Sequence, residues 1–468
     1  MSDPRPDQIQ RLRTTPLDVL VLGGGINGAG VIRDLALRAG RASQTLQVGL
    51  VEQKHFASGT SGKNSQLIHG GLRYLKYLQF HLVRESLQER SVLLRIAPQY
   101  VKPLAFLLPM YGMKSRLIYG AGLRLYDWLA GADAIAHHKM LRTEEAAQIE
   151  PELASDGLSA AAIFYDCGVA SARFVVENIL DAMANGALAA NYVKADAWKR
   201  QADGFWRVQC KDSLAGVEFE IRARKLVDAR GGWSDGGALR LVRGSHIVIP
   251  RVSASDHAIA HFEPNGRIIF LIPWGSRNQL TLVGTTDEDH QAGPEHVHIT
   301  KQELDYLLGV VRRLFPRHSD VRPISAFSSL RPLVHERQGS PTSATREHRI
   351  WNSEDGILHI AGGKYTTYRL MSEEASDLVC REIAPEVAEL HVTAERPFAS
   401  CEREIGDALE QRLSDYFYIS TYLGYERRWD AESLMPYAEA LGQKRGWEKD
   451  RVRQEVDAVI EASESRGA

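Results

Sequence analysis

Cysteine is scarce in this chain of 468 residues: there are four, Cys167, Cys210, Cys380 and Cys401, scattered and with no Cys-x-x-Cys pair. That excludes a disulfide framework and a thiolate zinc site, and no other metal centre is expected. Long apolar runs are also lacking. The nearest candidate, Leu104 to Met110, is short and contains Pro109. A membrane-spanning helix is therefore not expected, whereas lying on a membrane surface is compatible with the sequence. The first residues, MSDPRPDQIQRLRTT, have no apolar core of the signal-peptide kind. With so few cysteines, the expected location is the cytoplasm. An excess of one charge is missing too: 57 Lys+Arg face 59 Asp+Glu, a formal net charge of −2. No overall field draws nucleic acid. Any anionic partner must be met by a local cluster of Arg and Lys.

What is present is an average globular composition, 44% hydrophobic and 25% charged, which excludes disorder and collagen-like structure. The length suggests about three structural units, or two large ones. Leu17 to Leu22 is an apolar run suited to a buried parallel strand. A Gly-rich turn follows, then a helical stretch from Ala29 to Ala39, then a second strand, Gln47 to Val51. Phe80 to Ile96 has helical spacing and stops before Pro98, and Lys301 to Phe315 reads as another helix. Residues 189–229 and 236–300 alternate like short strands, and the tail from Cys401 is charged and helical. Near 357–385 a strand, a Gly-rich turn and a helix recur. This order predicts an α/β protein with a discontinuous Rossmann-like nucleotide-binding domain (15–80, 150–235 and 350–385). A β-rich substrate or cap domain (81–149 and 236–349) is inserted in it, and a C-terminal helical region (395–468) follows.

The most informative motif is Gly23-x-Gly25-x-x-Gly28, after a strand and before a helix, with Glu52 24 residues beyond Gly28. Gly23 allows the tight turn, Gly25 lets the backbone approach a diphosphate, and Gly28 lets helix and strand pack closely. The helix N-terminus offers N–H groups and a positive dipole end. Glu52 would accept hydrogen bonds from a ribose and disfavours a 2′-phosphate. The motif alone fits FAD or NAD. The late Gly362-Gly363-Lys364 turn favours a long, buried flavin held from both ends of the chain.

Leu22 to Gly30, followed by Arg33-Asp34, resembles the opening of the glycine/D-amino-acid-oxidase-like flavoproteins. More specific are Leu67-Ile68-His69-Gly70-Gly71-Leu72-Arg73-Tyr74-Leu75, Arg243 to His246, and Gly284-Thr285-Thr286-Asp287. Leu330-Arg331-Pro332-Leu333 and Gly362 to Arg369 complete the series. In this order they resemble the FAD-dependent, respiratory-type glycerol-3-phosphate dehydrogenases over roughly residues 17–385. Two stretches depart from the family pattern: Thr60 to Gln66, with Gln66 where Lys is usual, and Asp228-Ala229-Arg230-Gly231-Gly232-Trp233.

The resemblance implies oxidation of sn-glycerol 3-phosphate to dihydroxyacetone phosphate, with FAD as cofactor and a quinone as onward acceptor. Phosphate capture calls for several cationic donors, and Arg offers a planar fork. The resemblance places Arg73, Arg331, Arg346 and Lys364 there, with Tyr74 adding a hydroxyl. His246 and His69 are candidates for the base, since imidazole accepts a proton near neutral pH. Arg331 is a third candidate, as stabiliser of the developing alkoxide. Around FAD it implies Gly23, Gly25, Ile26, Asn27, Gly28, Glu52, Thr60, Ser61, Ser65, Gly231, Gly363, Lys364 and Thr366. Leu104 to Leu129, apolar with Lys114, Arg116 and Arg124 interspersed, suits either an anionic lipid surface or a buried domain interface. A homo-oligomer is open. So are an oxidase using O₂, an enzyme for another small phosphorylated or carboxylated substrate, and a non-catalytic flavoprotein.

Overall fold

Leu17–Leu22 forms the buried centre of a sheet because its residues are apolar on both faces, as a strand covered by helices on each side requires. The structure is a computed structural model and describes residues 3–42, 46–235, 239–334, 347–399 and 403–466. In it this strand, β1, pairs in parallel with β2 (Val48–Glu52) on one side and β10 (Val217–Asp228) on the other. β2 pairs in parallel with β7 (Leu188–Asn191), and β10 with β18 (Leu358–Gly362). β17 (His348–Asn352) closes that edge antiparallel, and the hairpin β8 (Val193–Arg200) and β9 (Trp206–Asp212) extends β10. The helices α2 (Ile26–Ala42), α6 (Ser171–Ala184) and α8 (Tyr368–Ile383) pack together beside this sheet. Parallel strands with crossover helices place the carboxyl ends of β1, β2, β10 and β18 along one edge, where open α/β sheets bind ligands.

The second sheet runs β15-β11-β14-β13-β12-β4-β6-β3. Its strands are β3 (Leu67–Ile68), β4 (Val101–Tyr111), β6 (Leu158–Val169), β11 (Leu239–Pro250), β12 (Ala258–Phe262), β13 (Ile268–Trp274), β14 (Leu280–Gly284) and β15 (Glu288–Asp289). β16 (Ser325–Val334) pairs with β11, and β5 (Lys139–Leu141) with β6. α7 (Lys301–Leu314) covers one face of this sheet with an apolar stripe of Leu307, Leu308, Val310, Val311 and Leu314. α3 (Phe80–Ile96) and α4 (Gly112–Ala130) lie over β4 and β6.

Sheet membership departs from the sequence expectation in two places. β3 and β6 fall within the ranges 15–80 and 150–235 yet belong to the second sheet. β3 pairs with β6, and β6 in turn with β4, each across a long stretch of chain, and no local pattern reveals such partners. The tail is also less helical than its composition suggests. Residues 403–412 carry no helix, and only short turns, α9 (Leu413–Asp415), a π-helical turn (Tyr416–Ser420) and a 3-10 turn (Leu423–Tyr425), precede α10 (Ala431–Arg445) and α11 (Lys449–Arg466). Short helices, among them α1 (Arg5–Thr14) and α5 (Thr143–Ile149), complete the fold.

Candidate active site

The glycines of the first turn take up the positions their spacing predicts. Gly23 has φ +105°, and a Cβ there would lie 2.7 Å from the Ala229 carbonyl oxygen. At Gly28 a Cβ would sit 2.0 Å from the Gly23 carbonyl oxygen, so only hydrogen permits this approach of helix to strand. A Cβ on Gly25 would meet only the Ser61 hydroxyl, at 3.2 Å, on the open side of the turn. The Ile26 N–H, at the start of α2, donates to Ser61 Oγ at 2.9 Å. Glu52 accepts from the Gly24 N–H at 2.7 Å and the Lys54 N–H at 2.9 Å, bracing the turn from the end of β2. Burial pushes its carboxyl up. A carboxylate oxygen has two lone pairs, so capacity for a ribose hydroxyl remains.

The turn after β10, which departs from the family pattern, is braced internally. Asp228 accepts from Arg230 Nε at 3.0 Å, Arg230 Nη2 at 2.9 Å and Ser234 Oγ at 2.7 Å. Burial pushes the Asp228 carboxyl up, but the hydrogen bonds from His359 and Arg230 and the Arg230 charge outweigh it and hold it well below the usual carboxylate range. Gly231, at φ +59°, turns the chain so that Trp233 packs against Gly59.

A continuous cavity of about 660 Å³ runs from this edge to the second sheet. Gly23, Gly25, Ile26, Asn27, Glu52, Thr60, Ser61, Ser65, Gly231 and Gly363 line it, and so do His69, Arg73, Tyr74, His246, Arg331 and Lys364. Thus nearly all the residues singled out from the sequence share one enclosure. Gly28 sits behind the turn as a packing residue, and Thr366 acts through the backbone. Its hydroxyl donates to the His69 carbonyl at 3.2 Å and accepts the His69 N–H at 3.1 Å, tying β3 to the Gly362-Gly363-Lys364 turn. Arg346 lies outside the described residues.

His246 sits on β11, 2% exposed, with Nε2 2.9 Å from Ser65 Oγ and its ring stacked on Phe327 at 5.1 Å. Across the ladder lies Gly284, where a Cβ would reach the imidazole at 2.1 Å. Nδ1 has no hydrogen-bond partner among the described residues. Burial, then the Arg331 charge, lower the His246 pKa to about 3, partly opposed by Asp287. The imidazole is therefore neutral at ordinary pH.

Arg331, on β16, donates through Nη1 to Asp287 Oδ1 at 2.8 Å and the Thr286 carbonyl at 3.1 Å, and through Nη2 to Thr285 Oγ1 at 2.8 Å. Lys364 Nζ lies 4.4 Å from the Tyr74 ring centre and donates to the Leu82 carbonyl at 2.9 Å and Ser86 Oγ at 2.8 Å on α3. Its ammonium is thus engaged with α3 as well as bordering the cavity. Thr60 Oγ1 donates to the Leu330 carbonyl, drawing the 60–66 loop onto β16.

Several contributors escaped the sequence reading. Thr285, Thr286 and Asp287 hold Arg331; their motif stood out, but nothing local ties it to Arg331. Asp166 accepts from Arg90 Nη1 (2.6 Å), Tyr126 OH (2.7 Å) and the Gly70 N–H (3.1 Å), fixing the loop that presents His69 and Arg73. Phe106, Phe164 and Phe270 form an apolar wall. These residues look like ordinary core in the sequence.

The family described as FAD dependent oxidoreductase matches residues 18–369. Aerobic glycerol-3-phosphate dehydrogenase of Staphylococcus epidermidis is 33% identical over 409 residues, covering 82% of this chain and 71% of that protein. Glycerol-3-phosphate dehydrogenase of Pseudomonas aeruginosa is 37% identical over 375 residues, covering 76% and 70%. Among solved structures, glycerol-3-phosphate dehydrogenase from Bacillus halodurans complexed with FAD superimposes with a TM-score of 0.76 at 24% identity, over 100% of this chain and 98% of that one. Glycine oxidase from Geobacillus kaustophilus gives 0.62 at 17% identity, over 83% and 100%. Its glycine turn, its two sheets and these likenesses place the chain in the FAD-dependent oxidoreductase family, among the glycerol-3-phosphate dehydrogenases.

Proposed function

We propose that this protein oxidises sn-glycerol 3-phosphate to dihydroxyacetone phosphate, with FAD as cofactor and a quinone as the onward acceptor. The observation that carries this reading is the single cavity joining the dinucleotide turn to His246, Arg331, Arg73 and Tyr74. The residues fit the cofactor. The Gly23–Gly25 turn, the start of α2, Glu52, the Thr60–Ser65 loop, Gly231 and Gly363 would hold it. When bound, the flavin supplies the electron sink for the two electrons that leave carbon-2.

The chain's own residues do the rest. Arg73, with Arg346 and Lys364, captures the phosphate dianion, and Tyr74 adds a hydroxyl. His246 takes the hydroxyl proton. Its neutral state leaves a ring nitrogen ready to accept, and the arriving dianion raises its proton affinity. Arg331, held by Asp287 and Thr285, aims positive charge at the developing alkoxide. The apolar wall excludes water.

Quinone reduction calls for contact with a bilayer. The Leu104–Leu129 segment divides here. Its β4 half is core, whereas α4 exposes Met113, Leu117, Ile118 and Trp128 (76% exposed) beside Lys114, Arg116 and Arg124. No helix among the described residues is long and apolar enough to cross a membrane. An apolar face with flanking cations suits the surface of an anionic bilayer.

Anaerobic glycerol 3-phosphate should bleach the flavin absorbance near about 450 nm. If a bound flavin stays oxidised, the dehydrogenase reading fails. The protein should float with anionic liposomes at low salt, and Leu117→Glu with Trp128→Glu should abolish flotation while flavin stays bound. Absence of wild-type flotation sinks the membrane assignment.

A further inference from the structure

The loop between the dinucleotide turn and the substrate end contains Lys63, whose backbone is fixed. Its N–H donates to the Thr60 carbonyl at 3.2 Å, and its carbonyl accepts from Ser329 Oγ at 2.6 Å. The side chain is in a different situation. Half-buried, it lines the cavity together with Gly25, Ile26 and Ser61. Among the described residues no carboxylate, carbonyl or hydroxyl partners its ammonium. The charges that act on it, Arg466 and Lys54, are both positive; with burial as the larger cause they lower its pKa to about 8. Lys54 also lines the cavity. Arg466, at the end of α11, lies 3.7 Å from the Tyr418 ring centre, and its buried Nη1 has no hydrogen-bond partner among the described residues.

A desolvated ammonium among like charges costs free energy unless an anion arrives. Position identifies the anion. Lys63 follows Ser61, whose hydroxyl touches the first N–H of α2, and glycine turns opening such a helix are where diphosphates bind. Lys54 follows Glu52 on the same, nucleotide side. The loop reaches a residue of the substrate end only at Ser65, whose hydroxyl lies 2.9 Å from His246 Nε2.

We propose that Lys63 supplies the counter-charge for the diphosphate of the bound dinucleotide, with Lys54 and Arg466 reinforcing the positive potential around it. This rests on the FAD reading above. It also gives the 60–66 departure a role: the loop places a cation, Lys63, among its hydroxyl groups.

The test uses the full-length holoenzyme. FAD release is followed by the rise in flavin fluorescence for wild type, Lys63→Met and Lys63→Arg. Losing a charge-assisted contact should speed release roughly tenfold to a hundredfold in Lys63→Met, with Lys63→Arg close to wild type. Melting supplies an independent sign. Without added FAD, Lys63→Met should melt at or above the wild-type temperature, because it removes an unpaired buried charge. With excess FAD the order should reverse. The KM for glycerol 3-phosphate, at saturating FAD, should not change. Equal release rates for Lys63→Met and wild type overturn the proposal, and so does a raised KM with unchanged release, which would assign Lys63 to the substrate phosphate. If the wild-type protein holds no flavin at all, the FAD reading itself fails and this inference falls with it.

Discussion

Burial and the neighbouring Arg331 guanidinium keep the His246 imidazole neutral far below its ordinary range, at a pKa of about 3. In the unfolded chain it titrates at about 6.5. As pH falls through that value the unfolded state takes up a proton that the folded state refuses, so stability falls with pH between about 6.5 and 3. Comparing wild type with His246→Gln in denaturant isolates this contribution. Between pH 7 and 5 the wild type should lose about 2 kcal/mol relative to the variant, and parallel pH curves would refute the assignment. His246→Gln should also retain flavin yet reduce it about 10²- to 10⁴-fold more slowly, the usual worth of a positioned base. Arg331→Ala should raise KM or abolish reduction in the same anaerobic assay; unchanged kinetics would remove Arg331 from the site. Glycine at 28 is required sterically. Gly28→Ala would set a methyl 2.0 Å from a backbone oxygen and should cost about 1–3 kcal/mol by overpacking, with weaker FAD retention.

At the scale of elements, α7 braces the strand that carries His246. Thr300 and Glu303 form its capping box. Glu303 also accepts from Thr286 Oγ1 at 2.7 Å, Ser245 Oγ at 2.9 Å and Arg243 Nε at 3.0 Å. Burial pushes its carboxyl up, but the hydrogen bonds from Thr286, Thr300 and Ser245 outweigh this and hold it below its ordinary value. The capping box belongs to the helix start and can be read from Thr300 and Glu303 alone. The reach to Ser245 cannot, because it spans 58 residues. Glu303→Gln should lower stability by about 2 to 4 kcal/mol and slow flavin reduction without altering FAD release. A stability loss with full activity would show that the strand keeps its geometry without this brace.

For the molecule as a whole, the tail closes the structure over both sheets. The Tyr422 hydroxyl accepts the Ala172 N–H at 2.9 Å and donates to the Gly62 carbonyl at 3.1 Å, pinning the start of α6 and the 60–66 loop. Arg403 grips Glu177 with two bonds of 2.8 Å, and the Tyr192 hydroxyl donates to Asp415 at 2.6 Å. Tyr425 packs on Phe327, the ring beneath His246, with centroids 5.0 Å apart. Tyr422→Phe leaves a buried N–H unsatisfied and should cost about 1–3 kcal/mol, read as a lower melting temperature. No loss would mean that the tail is not anchored there.

The sequence by itself determined what depends on near neighbours. The glycine turn is legible because only a missing Cβ allows Gly28 to approach Gly23. Strands β1 and β2 follow from largely apolar runs, and the start of α7 from its cap. The ordered motifs from His69 to Arg369 marked the family before any contact was known. Tertiary structure decided the rest: β3 and β6 in the second sheet, Ser65 on His246, Asp287 on Arg331, Lys364 on α3, and the tail beneath the site. Each of these pairs residues distant in the chain. Their free energy comes from burial and hydrogen bonds that exist only once the sheets have assembled.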